Sequence, residues 1–278
     1  MILVTGATGT IGSGVVRLLT ERGVPFRAMS RNPADLPHSV RADFTDPASL
    51  AAAVAGVDAV FLVTVPPTPS TAHDLALIDA ARTAGVTRIV KLSAIGTGER
   101  FEGEVVGAAH LAAEQAIEDS GLAWTILRPT SFASNFLAYR ELIDAGEPLP
   151  DMLGPARQAV VDPRDVSAVA VDALLDDRHN GRRYDLTGPD LVTFADQAAT
   201  LERVLNRPVK TVAVDAVTQL EAAGMPAEAI AGVTTGVGWA RAGGAAYVTE
   251  HVSRILGRPA RSFEQWTTDH LTTFTVMR

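Results

Sequence analysis

A chain that opens with a short apolar strand, Ile2–Thr5, and turns at once through Gly6-Ala7-Thr8-Gly9-Thr10-Ile11-Gly12 into an amphipathic helix has few folds open to it. The spacing is G-x-x-G-x-x-G. The first glycine permits a tight turn, the second lets a ligand approach the backbone, and the third lets the helix pack closely on the strand. Behind the turn, a helix N-terminus offers free N–H groups and partial positive charge to phosphates. No G-K-[ST] follows, so a nucleoside-triphosphate loop is disfavoured. The turn implies dinucleotide binding through Gly6, Thr8, Gly9, Thr10, Ile11 and Gly12.

The rest of the first half repeats the theme. β-rich apolar runs at Phe26–Ser30, Val40–Asp43, Ala59–Thr64, Arg88–Ser93 and Trp124–Arg128 alternate with helical stretches at Ser13–Arg22, Ala48–Ala55, His73–Ala84 and Gly107–Ser120. Strands alternating with helices at about thirty residues per unit predict an α/β, Rossmann-type doubly wound parallel sheet. The dinucleotide-binding core spans residues 1–130. Residues 131–278 form a smaller α/β substrate-binding part, packed over the C-terminal edge of the sheet, with segments near 156–190 returning to the core. In that part we expect a helix over Phe136–Ala145, a loop over Gly146–Pro155, a helix over Val166–Leu175 and a strand at Arg183–Leu186. Further helices are expected at Thr193–Leu205, Val217–Ala223, Ala227–Val233 and Ser262–Phe274. A strand is expected at Val209–Val214, and a flexible loop around Gly236, Gly238, Gly243 and Gly244.

Composition removes several function classes. None of the 278 residues is cysteine, which excludes disulfides, thiolate metal sites and cysteine nucleophiles. The six histidines have no metal-ligand spacing, so no metal is expected. Net charge is −8 without a Lys/Arg cluster, which argues against a nucleic-acid partner. No apolar run reaches the roughly 18 residues of a membrane span, and no basic leader precedes the first strand. A cytoplasmic protein acting on a small molecule is expected, with room for a homodimer.

Strand ends sharpen the cofactor. An acidic residue after the second strand would bond adenosine ribose hydroxyls, whereas arginine suits a 2′-phosphate. Here Ser30-Arg31-Asn32-Pro33 offers Arg31, favouring NADP(H). Asp43 either bonds the adenine amino group or caps its own turn; Phe44 follows it. Thr64 and Val65, ending the fourth strand, should wall the cofactor. Ser93 ends the fifth strand, where its hydroxyl would hold a substrate carbonyl or the nicotinamide amide, or merely cap the strand. Lys91, two residues earlier, suits a buried structural role better than catalysis. Asp162, Asp165 and Asp172 suit capping better than a catalytic carboxylate pair.

The glycine turn, Arg31-Asn32-Pro33, Ala42-Asp43, Ser93-Ala94-Ile95-Gly96, His110-x-x-x-Glu114 and Ser120-Gly121-Leu122-Ala123-Trp124-Thr125-Ile126-Leu127-Arg128-Pro129 together resemble the NmrA-like branch of the atypical short-chain dehydrogenases/reductases. Phe132…Asn135, Gly257-Arg258-Pro259 and Ser262-Phe263-Glu264-Gln265-Trp266 extend the resemblance over nearly the whole chain. The resemblance implies an NADPH-dependent reductase of the quinone oxidoreductase kind. More distantly it points to the isoflavone and phenylcoumaran benzylic ether reductases, whose lysine position falls on His110. Typical members of the superfamily use Tyr-x-x-x-Lys, but Tyr139, Tyr184 and Tyr247 are followed four residues later by Ile143, Gly188 and His251. Reduction must then use another proton donor or none, which a quinone-like or conjugated carbonyl acceptor tolerates. His110 and Ser93 are the catalytic candidates, His110 also as a cofactor or loop-orienting residue, with Glu114 one turn on either orienting it or facing solvent. Phe132, Asn135, Tyr139 and Trp239 are the substrate candidates. Two other readings stay open: a non-catalytic NADP(H)-sensing regulator, and a redox-neutral tailoring enzyme performing isomerisation, dehydration or cyclisation.

Overall fold

The computed structural model describes residues 1–32, 38–64 and 70–274. The chain divides into two compact units. The first comprises Met1–Thr97, Ala108–Arg128 and Val166–Asp185; the second comprises Gly98–Gly107, Pro129–Asp165 and Leu186–Arg278.

Short apolar strands and amphipathic helices alternate through the first unit. They are β1 (Ile2–Val4), α1 (Thr10–Glu21), β2 (Phe26–Ser30), β3 (Ser39–Arg41), α2 (Pro47–Val54), β4 (Ala59–Leu62), α3 (Ala72–Thr83) and β5 (Arg88–Leu92). The hairpin β6 (Arg100–Phe101) and β7 (Glu104–Val105), which belongs to the second unit, precedes α4 (Ala108–Asp119) and β8 (Ala123–Pro129). α1 starts three residues earlier than the apolar periodicity suggests, so Thr10, Ile11 and Gly12 lie in its first turn. It buries Ile11, Val15, Val16 and Leu19 on one face. α2 starts at Asp46, whose carboxylate accepts bonds from Ala48 N and Ser49 N, with Pro47 pre-set for the first turn.

The main sheet has seven strands, the last being β10 (Arg182–Leu186), in the order β10-β8-β5-β4-β1-β2-β3. β1 is parallel to β2, with Ile2 opposite Phe26, and to β4, with Ile2 opposite Ala59. β4–β5, β5–β8 and β2–β3 are parallel too. Successive strands run outward from β1 to β2 and β3, and from β4 to β5 and β8 on the other side. The order therefore reverses between β1 and β4, and a ligand crevice forms at the strand ends beside such a reversal. All four β4 residues are buried, as expected of a strand covered on both faces. Leu3, Leu62, Leu77, Ile89 and Ile117 fill the core on one face of the sheet. α6 (Pro163–Leu175) returns to this unit from Val166 onward, where the Ser167 hydroxyl donates to Ile11 O at 3.0 Å.

The second unit has its own core, built on aromatic rings. Phe136 lies 5.0 Å from Phe194 and 5.2 Å from Phe263 between centroids, and Trp266 stacks on Phe263. Its regular elements differ from the expected ones at several points. A 3-10 turn, Ala133–Tyr139, leads into α5 (Arg140–Ala145) in place of one helix. The expected loop over 146–155 contains β9 (Leu149–Asp151), parallel to β11 (Thr211–Ala213). Pro150 hides this strand from a propensity reading, yet a two-stranded pair has only edges, where proline is tolerated. After α7 (Phe194–Leu205) and α8 (Ala216–Ala222), α9 spans Ala227–Arg241, eight residues beyond its expected end. Gly236 and Gly238 are thus helical and not part of a loop. At Gly238 a Cβ would lie 2.4 Å from the Phe101 ring, so the glycine marks close packing against the β6–β7 hairpin. α10 (His251–Leu256) and the hairpin itself escape the sequence reading. The expected terminal helix is two, α11 (Phe263–Asp269) and α12 (Leu271–Phe274), parted at His270, which stacks on Trp266.

Candidate functional site

The glycine turn caps β1 in the conformation its spacing requires. Gly6 has φ +57°, and its carbonyl accepts a bond from Gly9 N at 2.9 Å. A Cβ on Gly12 would fall 2.1 Å from Gly6 O, so only glycine lets helix and turn pack. Gly9 differs: its Cβ would meet only Gly6 O, at 3.3 Å. That contact is tight but far from the clash at Gly12, and Gly9 is exposed. Gly9 is the N-cap of α1, no side chain caps it, and no acidic residue stands in the first turn. The free amides of α1 are therefore left for an anion. Thr8 and Thr10 are exposed, while Ile11 is buried and can offer only its backbone. The Thr5 hydroxyl, at 2.9 Å from Val63 O and 2.7 Å from Val63 N, ties the ends of β1 and β4 together.

After β2 the Ser30 hydroxyl accepts from Asn32 N at 3.1 Å, making a small turn with Arg31 at its apex. Arg31 is exposed and has no hydrogen-bond or ion-pair partner among the described residues. Asp43 caps its own turn: Oδ1 accepts from Thr45 N at 2.9 Å and from Thr45 Oγ1 at 2.7 Å. These bonds hold its carboxyl below the usual aspartate range. Phe44 stacks on His73 at 5.2 Å. Val65 lies outside the described residues.

Beyond β4 and β5 the unit buries charge. Lys91 is fully buried on β5 and pairs with Asp74 Oδ1 at 2.7 Å; Asp74 Oδ2 accepts from the Thr64 hydroxyl at 2.8 Å. A lysine inside an apolar strand demands such a partner. That demand, together with an aspartate in the first turn of the preceding helix, is the signal by which the sequence reading could have found Asp74. Ser93, 5 % exposed, donates from Oγ to Glu114 Oε1 at 2.5 Å. Arg128 closes a fork on the same carboxylate, Nε to Oε1 at 3.0 Å and Nη2 to Oε2 at 2.5 Å. Glu114 is 1 % exposed, so it does not face solvent, and its bonds go to Ser93 and Arg128 and not to His110.

His110 sits half-buried in the first turn of α4. Neither ring nitrogen has a hydrogen-bond partner among the described residues. Burial, reinforced by the Lys91 cation and opposed by Asp74 and Glu114, pushes its pKa down to about 4. At neutral pH the ring is uncharged. It can donate one N–H bond, but imidazolium is too scarce to act as a proton reservoir.

The four substrate candidates lie in the second unit. Phe132 opens the 3-10 turn and bridges Val161, and Asn135 is exposed one turn on. Tyr139 packs edge-on to Phe136 and Phe194, and burial raises its pKa. Trp239 is buried beneath Gly244, where a Cβ would meet the indole at 2.2 Å. These contacts pack Tyr139, which is half-buried, and Trp239 against neighbours within the second unit. Asp162 accepts from Arg164 N at 2.8 Å, while Asp165, fully buried, binds Arg258 Nη2 and Arg261 N, each at 2.7 Å. Among the described residues no group of three metal-ligating side chains exists, and no helix is long and apolar enough to cross a membrane.

A doubly wound parallel sheet, with an uncapped glycine-lined helix start beside its reversal and an exposed arginine after β2, defines a dinucleotide-binding protein of Rossmann type. Comparison with known proteins names the family. Residues 6–177 match the model of an NAD(P)H-binding family, to which the chain belongs, consistent with the NmrA-like resemblance. It is 39% identical, over 99% of both chains, to (4-alkanoyl-5-oxo-2,5-dihydrofuran-3-yl)methyl phosphate reductase of Streptomyces griseus. It is 35% identical, again over 99% of both, to NAD(P)H azoreductase of Xenophilus azovorans. The NADPH complex of quinone oxidoreductase QOR2 from Escherichia coli superposes with a TM-score of 0.83 at 26% identity, covering 98% of this chain and 100% of that one. The chain is an NADP(H)-binding oxidoreductase.

Proposed function

We propose that the protein reduces a small quinone-like or conjugated carbonyl compound with NADPH, without a Tyr-x-x-x-Lys pair. The observation that carries this reading is the buried polar group at the ends of β4 and β5, set beside the phosphate-ready start of α1. The residues present fit the cofactor. Gly9 leaves the helix start uncapped for a pyrophosphate, and the exposed Arg31 guanidinium, without a hydrogen-bond partner among the described residues, suits a 2′-phosphate. Thr64, Ser93 and His110 stand on the side of the reversal opposite Arg31 and Asp43, which supports placing them at the nicotinamide half.

When bound, NADPH supplies a hydride to an electron-poor carbon, and the resulting enolate or phenolate oxygen takes its proton from water. The chain's own groups position this exchange. The neutral His110 ring offers a hydrogen bond without contributing charge, and the Lys91–Asp74 pair holds the Thr64 hydroxyl at the end of β4. Phe132 and Asn135 are the proposed substrate contacts. The named relatives support the acceptor class: an alkanoyl-bearing unsaturated lactone, an azo compound and a quinone are all conjugated and polarised.

NADPH oxidation followed at 340 nm, against a panel of quinones, 2-alkanoyl butenolides and simple unconjugated ketones, tests the proposal. Turnover of conjugated members with the simple ketones inert is expected. Equal or exclusive turnover of simple ketones would refute it.

A further inference from the structure

The network around Ser93 has a polarity. The Ser93 hydroxyl carries one proton, and at 2.5 Å it points to Glu114 Oε1. Glu114 is the acceptor in this bond, and its two oxygens also receive two guanidinium N–H bonds from Arg128. Arg183 Nε stands a further 3.7 Å from Oε2. Nor does the neighbouring Thr97 supply a proton: its hydroxyl donates to Ala94 O at 2.7 Å, leaving a 3.4 Å approach to Ser93 Oγ. Among the described residues, the hydroxyl and guanidinium protons around Ser93 Oγ are directed away from it, so that it presents lone pairs. A hydroxyl so fixed cannot donate to a carbonyl; it can only receive. Its burial leaves a ligand a single contact there and not a broad polar surface.

We propose that Glu114, braced by Arg128, is a positioning residue that locks Ser93 as a hydrogen-bond acceptor, and that Ser93 receives the carboxamide N–H of the nicotinamide and does not polarise the acceptor's carbonyl. This rests on the assignment of the nicotinamide half to the β4–β5 side. It makes Ser93 a cofactor-orienting group, which leaves the acceptor's oxygen to water.

The test is binding, not turnover. NADP⁺ and its 3-acetylpyridine analogue, in which a methyl replaces the amide nitrogen, are titrated calorimetrically into wild type, Ser93→Ala and Glu114→Gln. Wild type should prefer NADP⁺, and Ser93→Ala should lose about 5- to 30-fold in affinity for NADP⁺ alone, erasing the Ser93 share of the preference. Glu114→Gln can turn its amide toward Ser93 and release the hydroxyl proton outward. It should shrink the ratio of the two affinities, whereas a purely structural role would weaken both ligands equally. An unchanged ratio in Ser93→Ala overturns the proposal. Failure of the wild type to bind NADP⁺ overturns the cofactor placement itself, and it would be seen before any substitution is compared.

Discussion

The two units bury charge in different ways. In the first, Lys91–Asp74–Thr64 and Arg128–Glu114–Ser93 each end on a hydroxyl at the tip of a strand. In the second, Asp165 is held by the guanidinium groups of Arg258 and Arg261 and by the Arg261 backbone N–H, and so ties α6 to the segment after α10. Around that clasp the core is aromatic: Phe136, Phe194, Phe263 and Trp266 need no proton to be placed. Buried charge is costly unless it is fully paired. Where it terminates in an oriented hydroxyl it leaves a polar group at a strand end; where guanidinium groups enclose it, as at Asp165, it ties the fold together.

Glycine substitutions strain this contrast most. Gly12→Val should abolish folding of the first unit, because its Cβ has no room beside Gly6 O. Gly9→Val should keep the circular dichroism of wild type and lose detectable NADP(H) binding by calorimetry; retained affinity would mean that the turn is only structural. Next come the cores. Lys91→Met strands Asp74 in the interior and should cost about 3–5 kcal/mol in urea unfolding, most of it recovered in Lys91→Met/Asp74→Leu. Trp266→Ala should cost a similar ~3–5 kcal/mol by cavity formation, with no second substitution able to restore it and NADP(H) affinity unchanged under conditions where the protein is folded.

Arg31→Ala should weaken NADPH by about 10- to 100-fold and NADH by less than about twofold, as loss of a charge-assisted bond to a 2′-phosphate requires. Equal loss for both would remove the 2′-phosphate argument. The smallest effect is at His110. Its folded pKa of about 4 lies below the ordinary value near 6.5. The unfolded chain therefore binds the proton first, and the stability this ring contributes at neutral pH is lost as pH falls from about 6.5 to 4. His110→Gln should flatten that part of the profile of urea midpoint against pH.

Much of the first unit was legible because its signals are local. Strand, glycine turn and helix follow one another in sequence, and Arg31 and Ser93 stand at strand ends that periodicity alone locates. What escaped depends on partners far along the chain. Glu114 reads as a residue that orients His110 or faces solvent until Arg128 and Ser93 fold against it. The role of Asp74 exists only because β5 brings Lys91 beside it. In the second unit the signals mislead for the same reason. Pro150 argues against a strand that only β11 completes, and Gly238 argues for a loop that only Phe101 turns into a packing contact. Asp43 is intermediate: both of its readings were visible, and the two bonds from Thr45 support the turn cap.

The central claim is hydride transfer to a conjugated acceptor. NADPH carrying deuterium at both C4 positions, incubated with a 2-alkanoyl butenolide and followed by mass spectrometry, tests it most directly. The account predicts a product heavier than the acceptor by one deuterium, on carbon, and one hydrogen from water, with one NADPH consumed for each molecule formed. An isomer of unchanged formula, unlabelled and formed with no loss of NADPH, would contradict it and identify the chemistry as redox-neutral.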